Sequence, residues 1–222
     1  MSGGDRLRVG RVTVGLATAA GWVSEYTDPA RIGSNAPYAF PAYDRMDTES
    51  DASRLNDGDL LAPALLNVTP KLRAFYALKA MRTDLEERLA RLDNQPLENL
   101  DAAQIAAVIN LMYDPLDRHR AGPRTGLNGT TYSKVLHRKR LALLPLHDRW
   151  INACYVSHDG PVPPAKKRTW SEYMTLVAIA MAEDLSTQRR QFDQIADAAH
   201  EPLTRLRLLD IVAWKSQGRS HE

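Results

Sequence analysis

Cysteine is nearly absent. The lone Cys154 among 222 residues excludes an internal disulfide and a four-cysteine iron–sulfur cluster. Long apolar runs are also missing. The longest, such as residues 174–181, are far shorter than the roughly 20 residues that span a bilayer, so no membrane partner is expected. The opening MSGGDRLRVG has no signal-peptide apolar core, which makes the cytoplasm the expected compartment. His147 has neither an HExxH spacing nor a second ligand cluster around it, so no metal and no other cofactor is expected. No strand alternation competes with the helical periods, and there is no internal repeat or low-complexity tract.

What remains is a soluble globular composition, 44% apolar and 25% charged, long enough for one domain or a tightly joined pair. The net charge of +2 conceals an uneven distribution. Between Asp114 and Trp150 stand eight Lys/Arg against three Asp, whereas the rest of the chain is slightly acidic. Such a patch is compatible with a phosphate-bearing partner, and equally with a solvated helix face.

The periodicities predict an all-α fold. A short helix is expected over Leu16–Tyr26, ending before Asp28-Pro29. Residues 30–56, rich in Gly, Pro, Asn, Ser and Tyr, read as an irregular segment packed down by Tyr38, Phe40 and Tyr43. This divides the chain into a wrapping segment, 1–56, and a helical body, 57–222. The body opens near Asp59 with the apolar DLLAPALLN, taken as a buried helix with Pro63 in its first turn. Thr69-Pro70 is the expected start of a helix whose apolar face carries Leu72, Phe75, Leu78, Met81, Leu85, Leu89 and Leu92. Asp101 is the expected cap of the next. A loop is expected through Pro115, Gly122, Pro123, Gly126 and Gly129, with further helices at about 130–140, 148–156, 169–184, 187–199 and 202–215.

Residues 126–150 carry the chemistry. Gly126-Leu127-Asn128-Gly129 has the form of a glycine turn between two helices, whose amides suit a phosphate oxygen and whose Leu127 anchors it in the core. The following helix carries Lys134, Arg138, Lys139 and Arg140. Three consecutive cations cannot all face one ligand, so Lys134 and Arg138, at i and i+4, are the better pair for phosphate contact. Asp148 then opens the next apolar segment, where it serves either as a helix cap or as a catalytic carboxylate. His119 and His137 read as surface or loop residues, and Cys154 as a small hydrophobe on an apolar helix face. Trp22, Trp150, Trp170 and Trp214 read as core anchors, and Tyr132 as the first aromatic to consider for base stacking.

This series resembles the helix-hairpin-helix superfamily of base-excision DNA glycosylases. Those proteins place a glycine hairpin, a helix of about three turns, a proline-bearing loop and an aspartate in this order, here Gly129, Pro145 and Asp148. A closer resemblance, over nearly the whole chain, is to an uncharacterised family found mainly in actinobacteria. Its members share the hairpin, the Ser133-Lys134-x-Leu136 and Lys139-Arg140 elements and the Pro145-x-x-Asp148 spacing, as well as the terminal Leu208–Trp214 segment.

The superfamily resemblance implies a helix-hairpin-helix helical bundle that binds DNA or another nucleic acid. Its binding residues would be Gly126, Leu127, Asn128, Gly129, Thr130, Thr131, Lys134 and Arg138. It also implies that Asp148 stabilises the sugar cation formed as a base departs. The Schiff-base lysine of bifunctional members would fall at Thr131 or Thr130. With neither position a lysine, the implied activity is monofunctional hydrolysis of an N-glycosidic bond. Two alternatives stand beside it: a non-catalytic nucleic-acid binding module, and an enzyme on a small nucleoside or metabolite in a cleft closed by residues 30–56. Nothing in the sequence reads on oligomeric state.

Overall fold

The computed structural model describes residues 5–46, 51–120 and 126–222. Among these, nine α-helices and one two-stranded antiparallel hairpin build a mostly helical molecule. Gly122 and Pro123 lie outside the described residues.

The hairpin, β1 (Arg6–Val9) and β2 (Val12–Gly15), departs from the strand-free expectation. Leu7 pairs with Val14 and Val9 with Val12, and period-two alternation turns all four toward the core. Strands of four residues are too short to stand out against long helical periods, although LRVGRVTV does carry the alternation around a Gly10-Arg11 turn. Gly10 is irreplaceable on two counts: its φ is +62°, and an added Cβ would lie 2.2 Å from the Cys154 carbonyl oxygen. The hairpin therefore seats directly on the backbone of Cys154 and Tyr155. One apolar core runs from Leu7 to Ala213, and Leu7, Val9, Val12, Val14, Ala19 and Val23 are part of it.

α1 (Leu16–Thr27) forms as expected and is followed by a 3-10 turn, Pro29–Arg31, capped by Asp28. α2 (Asp57–Leu61) begins at a capping box between Asn56 and Asp59. It is not the continuous buried helix expected there. Pro63 lacks an N–H, the chain tightens into a 3-10 turn over Ala62–Leu66, and Asn67 in the left-handed region (φ 57°) ends it, leaving Leu61 and Leu65 exposed. α3 (Leu72–Leu89) starts two residues after Pro70, with Lys71 as its cap, and buries Leu78, Leu85 and Leu89. Leu72, expected on that face, is exposed.

α4 (Ala102–Arg120) is capped by Asp101, whose carboxylate accepts from Gln104 N while the Gln104 side chain accepts from Asp101 N. Pro115 lies inside this helix, not in the loop after it. A mid-helix proline strips a donor from the carbonyl four residues earlier, here Leu111. Arg88 Nη1 supplies the replacement at 2.7 Å, which lets α4 run on to Arg120. α4 packs along α7 (Trp170–Thr187), and α8 (Arg189–Ala196) and α9 (Arg205–Ser216) close the bundle. α5 (Gly129–Lys139) packs against α2 and the 3-10 turn Ala62–Leu66, and α6 (Arg149–Tyr155) packs against α9. Among the described residues no helix is long and apolar enough to cross a membrane.

Candidate active site

α5 is a buried central helix, which changes the meaning of its charges. Asn128 caps it, its side chain accepting from Thr131 N at 2.9 Å. Gly126 has φ +79° and is exposed, Leu127 is buried, and Gly129 lies against the Trp170 ring, where a Cβ would come within 2.3 Å. Thr131 is buried, and so is Tyr132, whose hydroxyl donates to the Met112 carbonyl, making Tyr132 a core residue and not a stacking platform.

The cations of α5 form neither a solvated face nor a row directed outward at a phosphate. Arg138 donates to the carbonyls of Tyr43 (2.6 Å) and Met46. Lys139 pairs with buried Asp59 at 2.8 Å, and Arg140 donates to the carbonyls of Leu89 and Ala52. They tie Tyr43, Met46, Ala52, Asp59 and the end of α3 to the end of α5. His137, expected near the surface, is fully buried, its Nδ1 2.7 Å from the Leu144 carbonyl, and burial takes its pKa down to about 3. His119 lies within α4. Cys154 is free and buried, as expected.

Lys134 differs from its neighbours on α5. It is 3% exposed, and among the described residues no hydrogen-bond or ion-pair partner meets its ammonium. Burial lowers its pKa, while the charges of Asp210 and Asp148 act in the opposite direction. It lines a cavity of about 900 Å³ whose walls come from α5, the head of α6, α9 and the N-terminal strap.

Asp148 caps α6, with Oδ1 accepting from Trp150 N (2.8 Å) and Ile151 N (3.1 Å). Its residue also lines the cavity, together with Thr130, Lys134 and Asp210. The N-terminal strap (residues 37–44) contributes Tyr38, Phe40 and Pro41 to the lining, and Trp150 and Trp214 add aromatic wall. All four tryptophans are half-buried rather than sealed in the core. The strap is anchored by Tyr43, whose hydroxyl donates to the Lys134 carbonyl at 2.8 Å, and by Asp44.

Arg207, buried on α9, donates through Nε to Asp44 Oδ1 at 2.6 Å and through Nη1 to Asp210 Oδ2, while Tyr26 donates to Asp44 Oδ2 at 2.6 Å. Burial pushes Asp44 up, but the Arg207 charge and the hydrogen bonds outweigh it, and its pKa falls below the usual carboxylate value. Asp210 moves the other way, to about 6, mainly by burial and further by the Asp148 charge. Arg207, Asp210 and Asp44 were not among the expected site residues. The sequence signal of Arg207 and Asp210 is a pair of charges at i, i+3 inside the otherwise apolar LRLLDIVAW.

His147 precedes Asp148 in the chain and lies outside that cavity's lining. Its Nδ1 is 3.4 Å from Thr130 Oγ1 and its Nε2 3.0 Å from the Tyr173 hydroxyl. Burial takes its pKa down to about 4, so it is a neutral hydrogen-bonding ring. It also lines an open groove with Arg120, Lys166, Arg168 and Trp170. Asp117, the carboxylate in that groove, accepts from Trp170 N, Ser171 N and the Ser171 hydroxyl. Among the described residues no group of His, Cys, Asp and Glu converges as a metal-ligand set.

The fold is of the mostly helical class. The chain belongs to a family of unknown function (DUF6308), whose model matches residues 19–217. No curated protein and no solved structure matches it.

Proposed function

We propose that this protein is an enzyme acting on a nucleoside-sized N-glycoside, bound in the cavity beside Asp148. The supporting observation is that Asp148 shares this cavity with strap residues 37–42, so the space next to the carboxylate is walled by the protein's own chain. A volume of about 900 Å³ falls within the range of small-molecule sites. Aromatic walls suit a planar base, and a carboxylate held by two backbone N–H groups suits a sugar that becomes cationic as the base leaves. The glycosylase resemblance supplies the reaction type, and Thr130 and Thr131 stand where a bifunctional member has its lysine. Spending the α5 cations on the strap argues against reading that helix as a phosphate contact.

The test compares wild type and Asp148→Asn for release of free base from nucleosides and nucleotides, and in parallel from damaged-base duplexes, followed by chromatography. Release from the small substrates, abolished in the variant, is expected. Release from duplexes alone would sink the proposal, and equal release by the variant would remove Asp148 from the chemistry.

A second reading, nucleic-acid binding through the hairpin region, is favoured by the open groove. Arg120, Lys166 and Arg168 line it beside Trp170, on which Gly129 packs, and none of the three forms an ion pair among the described residues. It requires duplex affinity that falls with salt and falls again in Lys166→Ala with Arg168→Ala. Affinity indifferent to both would count against it.

A further inference from the structure

We infer that Asp210, on the C-terminal helix, is the proton donor of this site, delivering its proton to the leaving nitrogen while Asp148 faces the sugar. The inference rests on the N-glycoside reading above and adds a second catalytic residue, on a different element, together with a substrate class: glycosides whose leaving group must be protonated to depart.

Placement comes first. Asp210 and Asp148 line one cavity from two elements, α9 and the head of α6, and Lys134 of α5 lines it too. Arg207 holds Asp210 by Oδ2, and among the described residues no hydrogen bond reaches Oδ1. That leaves one oxygen of a cavity-lining carboxyl without a partner.

Charge is the second argument. Arg207 is one cation serving two buried carboxylates. Asp44 takes its Nε and Nη2 and also receives the Tyr26 hydroxyl, whereas Asp210 receives a single Nη1 contact. No ion pair within 4.0 Å joins Lys134 to either aspartate. A buried cluster one positive charge short is relieved most simply by a proton on its less satisfied member, which is Asp210.

The charged and titratable groups around it are Arg207 on α9 itself, Lys134 on α5, Asp148 at the head of α6, Tyr26 on α1, and Tyr43 and Asp44 on the strap. Burial is the main cause that lifts Asp210 to about 6. Asp148 and Asp44 push in the same direction, and Arg207 and Lys134 oppose them. Two carboxyl groups in one cavity, one accepting two backbone N–H bonds and the other still half protonated at about pH 6, form an acid and carboxylate pair.

The step balances as follows. The bond between the anomeric carbon and nitrogen breaks, its electron pair stays on nitrogen, and nitrogen takes the Asp210 proton. A water oxygen then bonds to the anomeric carbon, and the proton it sheds returns to the Asp210 carboxylate. The products are free base and free sugar.

The test uses the full chain, with Asp210→Asn and Asp148→Asn. The substrates are an unactivated nucleoside and a 4-nitrophenyl riboside, whose phenolate leaves without a proton. Asp210→Asn is expected to lower kcat/KM on the nucleoside by about 10²–10⁴-fold, the usual worth of a positioned acid, and on the activated riboside by less than about tenfold. Asp148→Asn is expected to impair both. Nucleoside turnover by wild type should fall as pH rises through about 6, as the acid form is lost, and Asp210→Asn should lack that limb. Carboxyl ¹³C NMR on the wild type, which needs neither a variant nor turnover, should show Asp210 titrating near 6.

Equal losses on the two substrates in Asp210→Asn, or Asp210 titrating in the ordinary aspartate range, would overturn the assignment. An Asp148→Asn enzyme that is dead while Asp210→Asn is unaffected would overturn it alone and leave the N-glycoside reading standing. A wild type inert on both substrates would overturn the two together.

Discussion

Asp148 accepts from two backbone N–H groups at the head of α6 and also lines the cavity, and substitution can separate those roles. Asparagine caps a helix about as well as aspartate, so Asp148→Asn should leave stability to urea within about 0.5 kcal/mol of wild type. Asp148→Ala loses both acceptor bonds and should cost about 1 kcal/mol. On the proposed function both variants lose turnover, by about 10²-fold or more. Turnover retained in the asparagine variant would leave Asp148 a cap only. Lys134 invites the opposite experiment. Burial disfavours the charged Lys134 side chain, and among the described residues no ion pair offsets this, so Lys134→Met should raise the urea midpoint, by about 1 kcal/mol of stability. A lowered midpoint would show that the amine is satisfied in a way its surroundings do not reveal.

At the scale of elements, the cationic end of α5 acts as a clasp. Arg138 and Arg140 reach backbone carbonyls of the 40–59 segment, and Lys139 forms a buried pair with Asp59. Removing one partner of such a pair strands the other charge, so Lys139→Ala should cost about 3–5 kcal/mol in urea unfolding. Arg138→Ala should leave the bundle folded but speed protease cleavage within residues 30–56; unchanged cleavage would deny the clasp. The sequence located these cations but not their partners. Basic side chains bonded to main-chain carbonyls leave no complementary residue to read, because every residue has a carbonyl. The same reasoning applies to Pro115, since its rescue by Arg88 depends on a helix 23 positions upstream of Leu111.

For the whole molecule, pH is the informative variable. Burial holds His137 at about 3 and His147 at about 4, against about 6.5 in an unfolded chain. From pH 6.5 down toward 4 the unfolded chain therefore binds protons that the folded one refuses, and the fold loses stability as pH falls. Asp210 works the other way: raised to about 6, its contribution is full below about pH 4 and is lost as pH rises through 6. Asp184, also raised by burial, acts in the same direction as Asp210, but the two histidines, whose unfolded value lies near 6.5, leave acidification destabilising. The urea midpoint should be lower at pH 5 than at pH 7, and His147→Gln should weaken that dependence. A midpoint that rises on acidification would contradict the burial of these rings.

The sequence by itself determined the helical class, most helix positions, the caps at Asp101 and Asp148, and the hairpin-to-aspartate spacing. These are local properties, written in apolar periodicity and in side chains that bond amides two or three residues away. Only the tertiary structure decided that α5 is buried, that its cations clasp the strap, and that Asp210 and Lys134 meet Asp148 around one cavity. Each of those depends on contacts between elements distant along the chain. Burial, which sets both the protonation of a carboxyl and the meaning of a basic helix, comes from the surrounding elements and not from neighbours in sequence.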